Sequence, residues 1–536
     1  MRYVPPARAA LAAVLISGLV FAAGVTPSAI AQESPRTRPE RTGFEETSRY
    51  TDVIAFLDSL RLVDPGLDVR TFGYSEEGRS LPLVVFGAAP GASAEVIRAD
   101  SRLRVLVLAN IHGGEVAGKE AALVLARELV EGQRDDWLNS VIVLIAPIYN
   151  ADGNERIGPR NRPGQYGPLA GMGQRSNARG LDLNRDNMKL DAAEGRALAR
   201  VLQDFDPDVL VDLHTTNGTK HAYHLTYAPP LHPDTDPGIV DELRGQWLPW
   251  VTNTVRERSG WEFFHYGNIP GTWGMKGEQG WYTFDHRPRF TTNYVGLRNR
   301  FGILSEAYSY ASFEDRIRAH GLFVEALVDY ASRNAGRLRA IVNHADESPT
   351  TGTEISLSAE PQRGDTITIL MGEVREKRNP YSGQRMLVRG DAQVQERMPD
   401  YTTFQATRTA TVPAAYLVLN SEGETIERLR AHGIRTWTLG TGTSLEVRAF
   451  TADSVQTSER EYQRRHPAAL FGSWSDETRD LPAETVVVPT DQPLGRLAAL
   501  LLEPRSDDGL AAWAVLEVGE DMVYPVLRTD RVPVEE

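Results

Sequence analysis

A buried-strand signature that stops at two glycines and resumes as an amphipathic helix constrains this chain more than any other stretch. It runs from Arg102 to Leu129, RLRVLVLANIHGGEVAGKEAALVLAREL. Leu103, Val105, Val107 and Leu108 belong to an apolar, β-branched-rich run of strand length. Gly113 and Gly114 permit a sharp turn, and apolar residues from Val116 to Leu129 then recur at helical spacing. His112 and Glu115 occupy the turn, three positions apart. A neutral imidazole and a carboxylate so placed can reach one Zn2+ from the same side, since zinc takes nitrogen and oxygen ligands at roughly 2 Å.

The spacing alone proves little, because His344-Ala345-Asp346-Glu347 repeats it. No strand precedes that second copy and polar turn residues follow it, so it reads as a chance match on a solvated linker. The first copy carries weight through its setting, and further polar residues occupy equivalent settings. Val141–Pro147 reads as a buried strand, Asp208–Leu213 as a third with His214 at its end, and Phe301–Ser305 as a fourth ending in Glu306. Helical patterns at Ala192–Phe205, Gly238–Arg258 and Phe313–Asn334 alternate with them. That alternation predicts an α/β fold with a mixed, mostly parallel sheet flanked by helices on both faces. In such sheets ligands bind beyond the carboxyl ends of the strands, and His112, Glu115, His214 and Glu306 all fall at or just past such ends.

The long segment Asn154–Gly180, rich in Gly, Pro, Arg and Asn, is of a length that usually serves function. A polar, turn-rich boundary falls near residues 344–354, and beyond it Thr366–Arg375, Arg385–Gln395 and Thr402–Leu419 read as strands. Glu422–Gly433 and Leu494–Leu502 read as helices. No catalytic cluster is evident there. The organisation expected is a signal peptide at 1–31, a flexible lead-in at 32–48, a catalytic domain at 49–345 and a smaller β-rich α+β accessory domain at 350–536.

Composition narrows the chemistry. The chain of 536 residues has no cysteine, which excludes disulfides, thiolate metal sites and a catalytic thiol. Arg2 and Arg8, the apolar Ala9–Val25 stretch and Ala29-Ile30-Ala31 form the three-part pattern of a secretory signal, with cleavage expected after Ala31. An uncleaved membrane anchor is the alternative; no later stretch is long and apolar enough to span a bilayer. Cleavage would remove two arginines and no acid, taking the formal charge from −14 to −16. So acidic a chain is a poor partner for nucleic acid or anionic membrane. It points to a secreted or periplasmic protein with no membrane span after cleavage.

At His112–Glu115 (HGGE), Arg175–Arg185 (RSNARGLDLNR), His214 and Glu306, the sequence resembles the zinc carboxypeptidase family, the carboxypeptidase A/B-like enzymes. The four motifs occur in the family's order, over roughly residues 50–335. The resemblance implies one zinc per chain, held by His112, Glu115 and His214, with Glu306 as general base and acid. It implies Arg175 for the oxyanion, and Asn184 and Arg185 for the terminal carboxylate of a peptide substrate with a free C-terminus. Asp182 would orient a zinc-ligating histidine. The family's substrate-covering tyrosine precedes the catalytic glutamate, which Tyr282 and Tyr294 both satisfy; Tyr294 is preferred. Asp186 stands where asparagine is common in the family.

Plainer readings exist for each residue. His214 can be a core histidine, Glu306 can pair with Arg298 or Arg300, and Asn184-Arg185-Asp186 can cap the following helix. Arg156, Arg160, Arg162 and Arg179 crowd the loop that carries Arg175, and His221 and His224 read as surface or supporting residues rather than a second metal site. The reading reached is an exported, zinc-dependent metallocarboxypeptidase. One rival is a zinc amidohydrolase acting on cell-wall peptides or N-acyl amino acids, and another is a peptide-binding protein on the same scaffold without turnover.

Overall fold

Within the N-terminal half, the β-branched runs pair into one eight-stranded sheet among the described residues of a computed structural model. The strands are β1 (Asp68–Tyr74), β2 (Ser80–Phe86), β3 (Leu103–Ala109), β4 (Val141–Ala146), β5 (Val209–Thr216), β6 (Leu225–Ala228) and β7 (Phe263–His265). A two-residue strand, β8 (Trp281–Tyr282), lies outside this sheet, and β9 (Phe301–Tyr308) completes it in the order β1-β2-β4-β3-β5-β9-β6-β7. The central strands β4, β3, β5 and β9 are parallel, while β1, β2 and the β9–β6 pair introduce antiparallel steps. The sheet is therefore mixed and parallel at its heart, as the sequence predicts. Residues 1–4, 34–216, 218–419, 422–516, 518–519 and 522–533 are described, so residues 5–31 of the expected signal segment and its cleavage point after Ala31 lie outside them.

Every residue of β3, β4 and β5 is buried, as strands covered on both faces must be. Each large aliphatic side chain so enclosed contributes roughly 1.5–3 kcal/mol. The helices Ala117–Val130 and Phe313–Glu347 pack against each other and on β3, and that helix pair closes one face of the core. Gly113 and Gly114 act differently from the expectation: neither has a left-handed φ. They are needed for close packing, since a Cβ on Gly113 would lie 2.3 Å from the carbonyl carbon of Gly153, and one on Gly114 2.6 Å from the Gly173 oxygen. The left-handed turn is taken by Asn110, at φ +66°, a residue type that tolerates that region.

Two expectations need correction. The stretch before Tyr50 is packed from residue 35 onward rather than loose: Arg127 grips Glu40 through two 2.8 Å bonds, and the hydroxyls of Thr47 and Ser48 donate to buried Glu120 at 2.7 Å. His344–Glu347 is no linker but the last turn of the helix Phe313–Glu347, with Ala345 buried and Asp346 bonded to Arg300 at 2.9 Å. The helix continues because residues 335–347 hold good helix formers and no proline.

Residues 35–536 form one compact unit. Past the long helix come β10 (Glu354–Gln362), β11 (Thr366–Arg378), β12 (Arg385–Tyr401) and β13 (Thr403–Thr411), and β12 pairs in parallel with β8 of the N-terminal half. A seven-stranded sheet follows, formed by β14 (Ala415–Val418), β15 (Trp437–Thr438), β16 (Thr443–Thr457), β17 (Ala468–Leu481), β18 (Val486–Pro489), β19 (Met522–Val523) and β20 (Val526–Thr529). The β-rich character of the C-terminal half agrees with the expectation. Among the described residues no helix is long and apolar enough to cross a membrane.

Candidate active site

The parallel sheet places the chemistry by register. In β5 and β9, His214 lies directly opposite Glu306, and Asp212 opposite Leu304 one step deeper. Side chains two apart share a face, so Asp212, His214, Leu304 and Glu306 line one wall. His214 and Glu306 fall inside their strands, two residues before the ends of β5 and β9. His112 and Glu115 reach the same point from the turn after β3, where the Glu115 amide donates to the His112 carbonyl at 2.8 Å.

The three side chains meet. His112 Nδ1 lies 3.2 Å from His214 Nδ1 and 3.0 Å from Glu115 Oε1, while His214 Nδ1 lies 3.0 Å from Glu115 Oε2. All three are buried. Two imidazole lone pairs this close repel unless a proton or a cation lies between them, and two nitrogens with one carboxylate are a donor set that suits zinc. Among the described residues they are the one group of three such side chains whose donor atoms lie within 4.8 Å of one another.

The far nitrogens are held as well. His112 Nε2 lies 3.1 Å from Asp182 Oδ1, which leaves Nδ1 free to coordinate. His214 Nε2 lies 2.9 Å from Asp212 Oδ2, out of line for a hydrogen bond but close enough for charge attraction. Burial alone would raise the Glu115 carboxyl, yet His112 and Arg162 beside it hold it well below the usual range. Burial would likewise depress His214, but Asp212 and Glu115 beside it push its pKa well above the usual imidazole value.

Glu306 faces this group. Burial pushes its carboxyl up to about 8; His214 opposes that rise and Glu115 adds to it. Its Oε2 is buried and has no hydrogen-bond partner in the structure. Neither Arg298 nor Arg300 pairs with it: Arg298 donates to Tyr294 and to the His432 carbonyl, and Arg300 bonds Asp206 and Asp346.

The segment Arg175–Arg185 closes the opposite wall. Arg175 sends Nε and Nη2 to Asp182 Oδ2, each at 2.8 Å, and Nη1 stands 3.5 Å from His112 Nδ1. Asp182 also accepts from the Asn184 amide at 3.0 Å, fixing the short turn that presents Asn184 and Arg185. Asn184 Oδ1 accepts from the Thr291 amide and hydroxyl, at 2.9 and 3.1 Å, so its NH2 remains to donate. The Arg185 guanidinium lies over the Phe290 ring, 3.9 Å from its centre. One cavity of about 510 Å3 is lined by His112, Glu115, His214, Glu306, Arg175, Asn184 and Arg185, with Arg162, Tyr266, Phe284 and Phe290 among the others around it.

Tyr294 is not brought to this cavity. It is buried on the helix Thr291–Leu297, with its hydroxyl 2.7 Å from His432 Nδ1. Tyr282 stacks on Tyr401, with ring centres 4.2 Å apart. The tyrosine that lines the cavity is Tyr266, held by Asn268 Nδ2 at 3.1 Å. Order along the chain admits Tyr282 and Tyr294 alike, and only the fold of the loop after Trp261 brings Tyr266 to the cavity. Arg162 was equally hidden among its neighbouring arginines; here it donates to Glu115 Oε1 and to the Thr215 carbonyl, both at 3.0 Å. Asp212 carried a readable signal, two positions before His214 on a strand.

A mostly parallel α/β sheet with this trio and facing acid has the donor set and the placement that a metal-dependent hydrolase requires. The comparisons point to metallocarboxypeptidases: residues 53–208 match the model of the zinc carboxypeptidase family, Peptidase_M14. Carboxypeptidase 2 of Trichophyton tonsurans is 23% identical over 479 residues, covering 85% of this chain and 81% of the relative. That span exceeds what residues up to Glu347 can supply, so the alignment runs into the C-terminal half. The carboxypeptidase N catalytic chain of Homo sapiens is 32% identical over 145 residues, 26% of this chain and 30% of its own. Among solved structures, a metallo-carboxypeptidase from Burkholderia cenocepacia aligns at 16% identity with a TM-score of 0.39, over 53% of this chain and 70% of its own.

Proposed function

We propose that this enzyme is an exported, zinc-dependent carboxypeptidase that removes the terminal residue from peptides with a free C-terminus. The observation that carries the reading is the convergence of His112, Glu115 and His214 opposite Glu306, in a cavity whose other wall holds Arg175, Asn184 and Arg185. Zn2+ held by that trio would polarise the scissile carbonyl, lower the pKa of a water toward about 7 and favour the ionised form of Glu306.

The chain's own groups supply the rest. Glu306 Oε2 takes a proton from the attacking water and returns it to the leaving nitrogen, the two roles of one positioned carboxyl. The Arg175 guanidinium, fixed by Asp182, offers N–H groups to the oxygen that gains charge. Arg185 and the Asn184 NH2 bind the substrate's terminal carboxylate, which confines cleavage to the last peptide bond. Phe284, Phe290 and Leu304 give the cavity an apolar wall for the departing side chain. The signal pattern at 1–31 supports export.

The test is to purify the mature chain, measure bound metal and assay N-blocked dipeptides beside muropeptides, with Glu306→Ala as control. About one zinc per chain and release of C-terminal amino acids, lost in the variant, would support the reading. Turnover of muropeptides alone would favour the amidohydrolase, and bound zinc with no turnover would favour the binding protein.

A further inference from the structure

A turn of the C-terminal half bonds to the segment that carries Arg175, Asp182, Asn184 and Arg185. Gln463 and Arg464 both adopt left-handed backbone, at φ +53° and +62°. They are the two central residues of a tight turn closed by backbone bonds between Tyr462 and Arg465 at 2.8 and 3.1 Å, a turn that takes left-handed backbone at both central positions. The turn makes three contacts in a row. Gln463 Oε1 accepts from the Asp182 backbone amide at 2.8 Å, Arg464 donates to the Arg179 carbonyl at 3.0 Å, and Arg465 forks onto Asp191 at 2.7 and 2.8 Å. Arg465 is itself tied to the Ala514 carbonyl at 3.1 Å.

Asp182 is the hub of its wall. Its carboxylate holds His112, Arg175 and the Asn184 amide, so its position sets a metal ligand, an oxyanion donor and the carboxylate-binding pair together. The carboxylate is fixed from inside the site, whereas the backbone amide is fixed from 281 residues away by Gln463. Arg464 and Arg465 direct their bonds to Arg179 and Asp191 rather than to Asp182.

We propose that Gln463 is a positioning residue for the hydrolytic site: its amide oxygen fixes Asp182, and the C-terminal half thereby completes the catalytic wall. This rests on the carboxypeptidase reading for its kinetic part. The metal and exchange measurements below stand apart from it, so the two can fail separately.

The experiment compares full-length wild type with Gln463→Met, which keeps the bulk and loses the acceptor, and Gln463→Glu, which keeps an acceptor. Arg465→Ala serves as a control that loosens the same turn without touching Asp182. Supporting partners behind metal ligands typically matter by 10- to 100-fold, and Gln463 acts one step further out. Gln463→Met is therefore expected to weaken zinc, by chelator competition, about fivefold to tenfold, to speed amide exchange at Asp182, and to raise KM more than it lowers kcat. Gln463→Glu recovers most of each. Unchanged zinc affinity and exchange in Gln463→Met would overturn the proposal. Equal effects in Arg465→Ala would also overturn it, since any loosening of the turn would then suffice. If Gln463→Met does not fold, wild-type exchange decides: an Asp182 amide as fast as exposed loop amides sinks the idea, and a protected one that speeds up in Gln463→Asn upholds it. Wild type inactive on peptides would remove the carboxypeptidase reading and leave the zinc and exchange results to judge Gln463.

Discussion

His112 Nε2 lies 3.1 Å from Asp182 Oδ1, and this pair decides which face of the imidazole a cation meets. The acceptor keeps the proton on Nε2 and the lone pair on Nδ1, aimed at Glu115 and His214. Asp182→Ala is expected to weaken zinc roughly 10- to 100-fold, measured by chelator competition. Unaltered affinity would mean that packing alone orients the ring.

Glu306→Gln tests the proton carrier. The amide is isosteric and cannot accept and return a proton, so kcat should fall by about 10²- to 10⁴-fold. Zinc content should stay near that of wild type, because Glu306 faces the trio without belonging to it. A variant retaining a tenth of the activity would assign the proton to another group.

Arg185→Ala should relax the requirement for a free terminus. A charge-assisted bond is worth about 1.5–3 kcal/mol, so KM for free-acid peptides should rise about 10- to 100-fold. C-terminal amides, which never engage the fork, should change little. An equal loss on both substrate sets would show that Arg185 supports the cavity through its stacking on Phe290.

The parts of this molecule that sequence discloses are those whose physics is local. The organising strand is found at Leu103–Ala109 and its helix at Ala117–Val130, because side-chain periodicity and burial coincide there. Glu306 and His214 were readable because each closes an apolar run. What was hidden depends on tertiary placement. Tyr294 satisfies the order of the motifs but faces the C-terminal half, and Gln463 lies in a polar turn that nothing local distinguishes. The supposed linker at residues 344–347 failed for a related reason: polar residues suggested solvent exposure, while Asp346 was bound to Arg300.

A pH effect away from this site should be visible at Glu194. Burial pushes this carboxyl up to about 7, although the Asn177 amide donates to it at 3.1 Å. Because the folded value exceeds the unfolded one, the native state binds more protons between pH 4.5 and about 7. Glu194 therefore contributes stability in full below that window and loses it as pH rises through it, with a slope of about 1.4 kcal/mol per pH unit. Denaturant melts of wild type and Glu194→Gln should diverge with pH across the window. Parallel curves would refute the assignment.

The last expectation separates two tyrosines. Tyr294 belongs to a directed chain: Arg298 donates to its hydroxyl at 3.2 Å, the hydroxyl donates to His432 Nδ1 at 2.7 Å, and His432 Nε2 donates to the Met188 carbonyl at 3.1 Å. Burial lowers His432 to about 3, so the ring is neutral and able to accept. Removing the hydroxyl leaves a buried acceptor and a guanidinium donor short of one partner, which costs about 1–3 kcal/mol. Tyr294→Phe should thus lower the denaturation midpoint and leave kcat and KM of the folded enzyme as they were. Tyr266→Phe should change kcat or KM, because Tyr266 lines the cavity and packs against Phe284, which lines it too. A kinetic defect in Tyr294→Phe at unchanged stability would mean that the helix Thr291–Leu297 turns this side chain toward substrate.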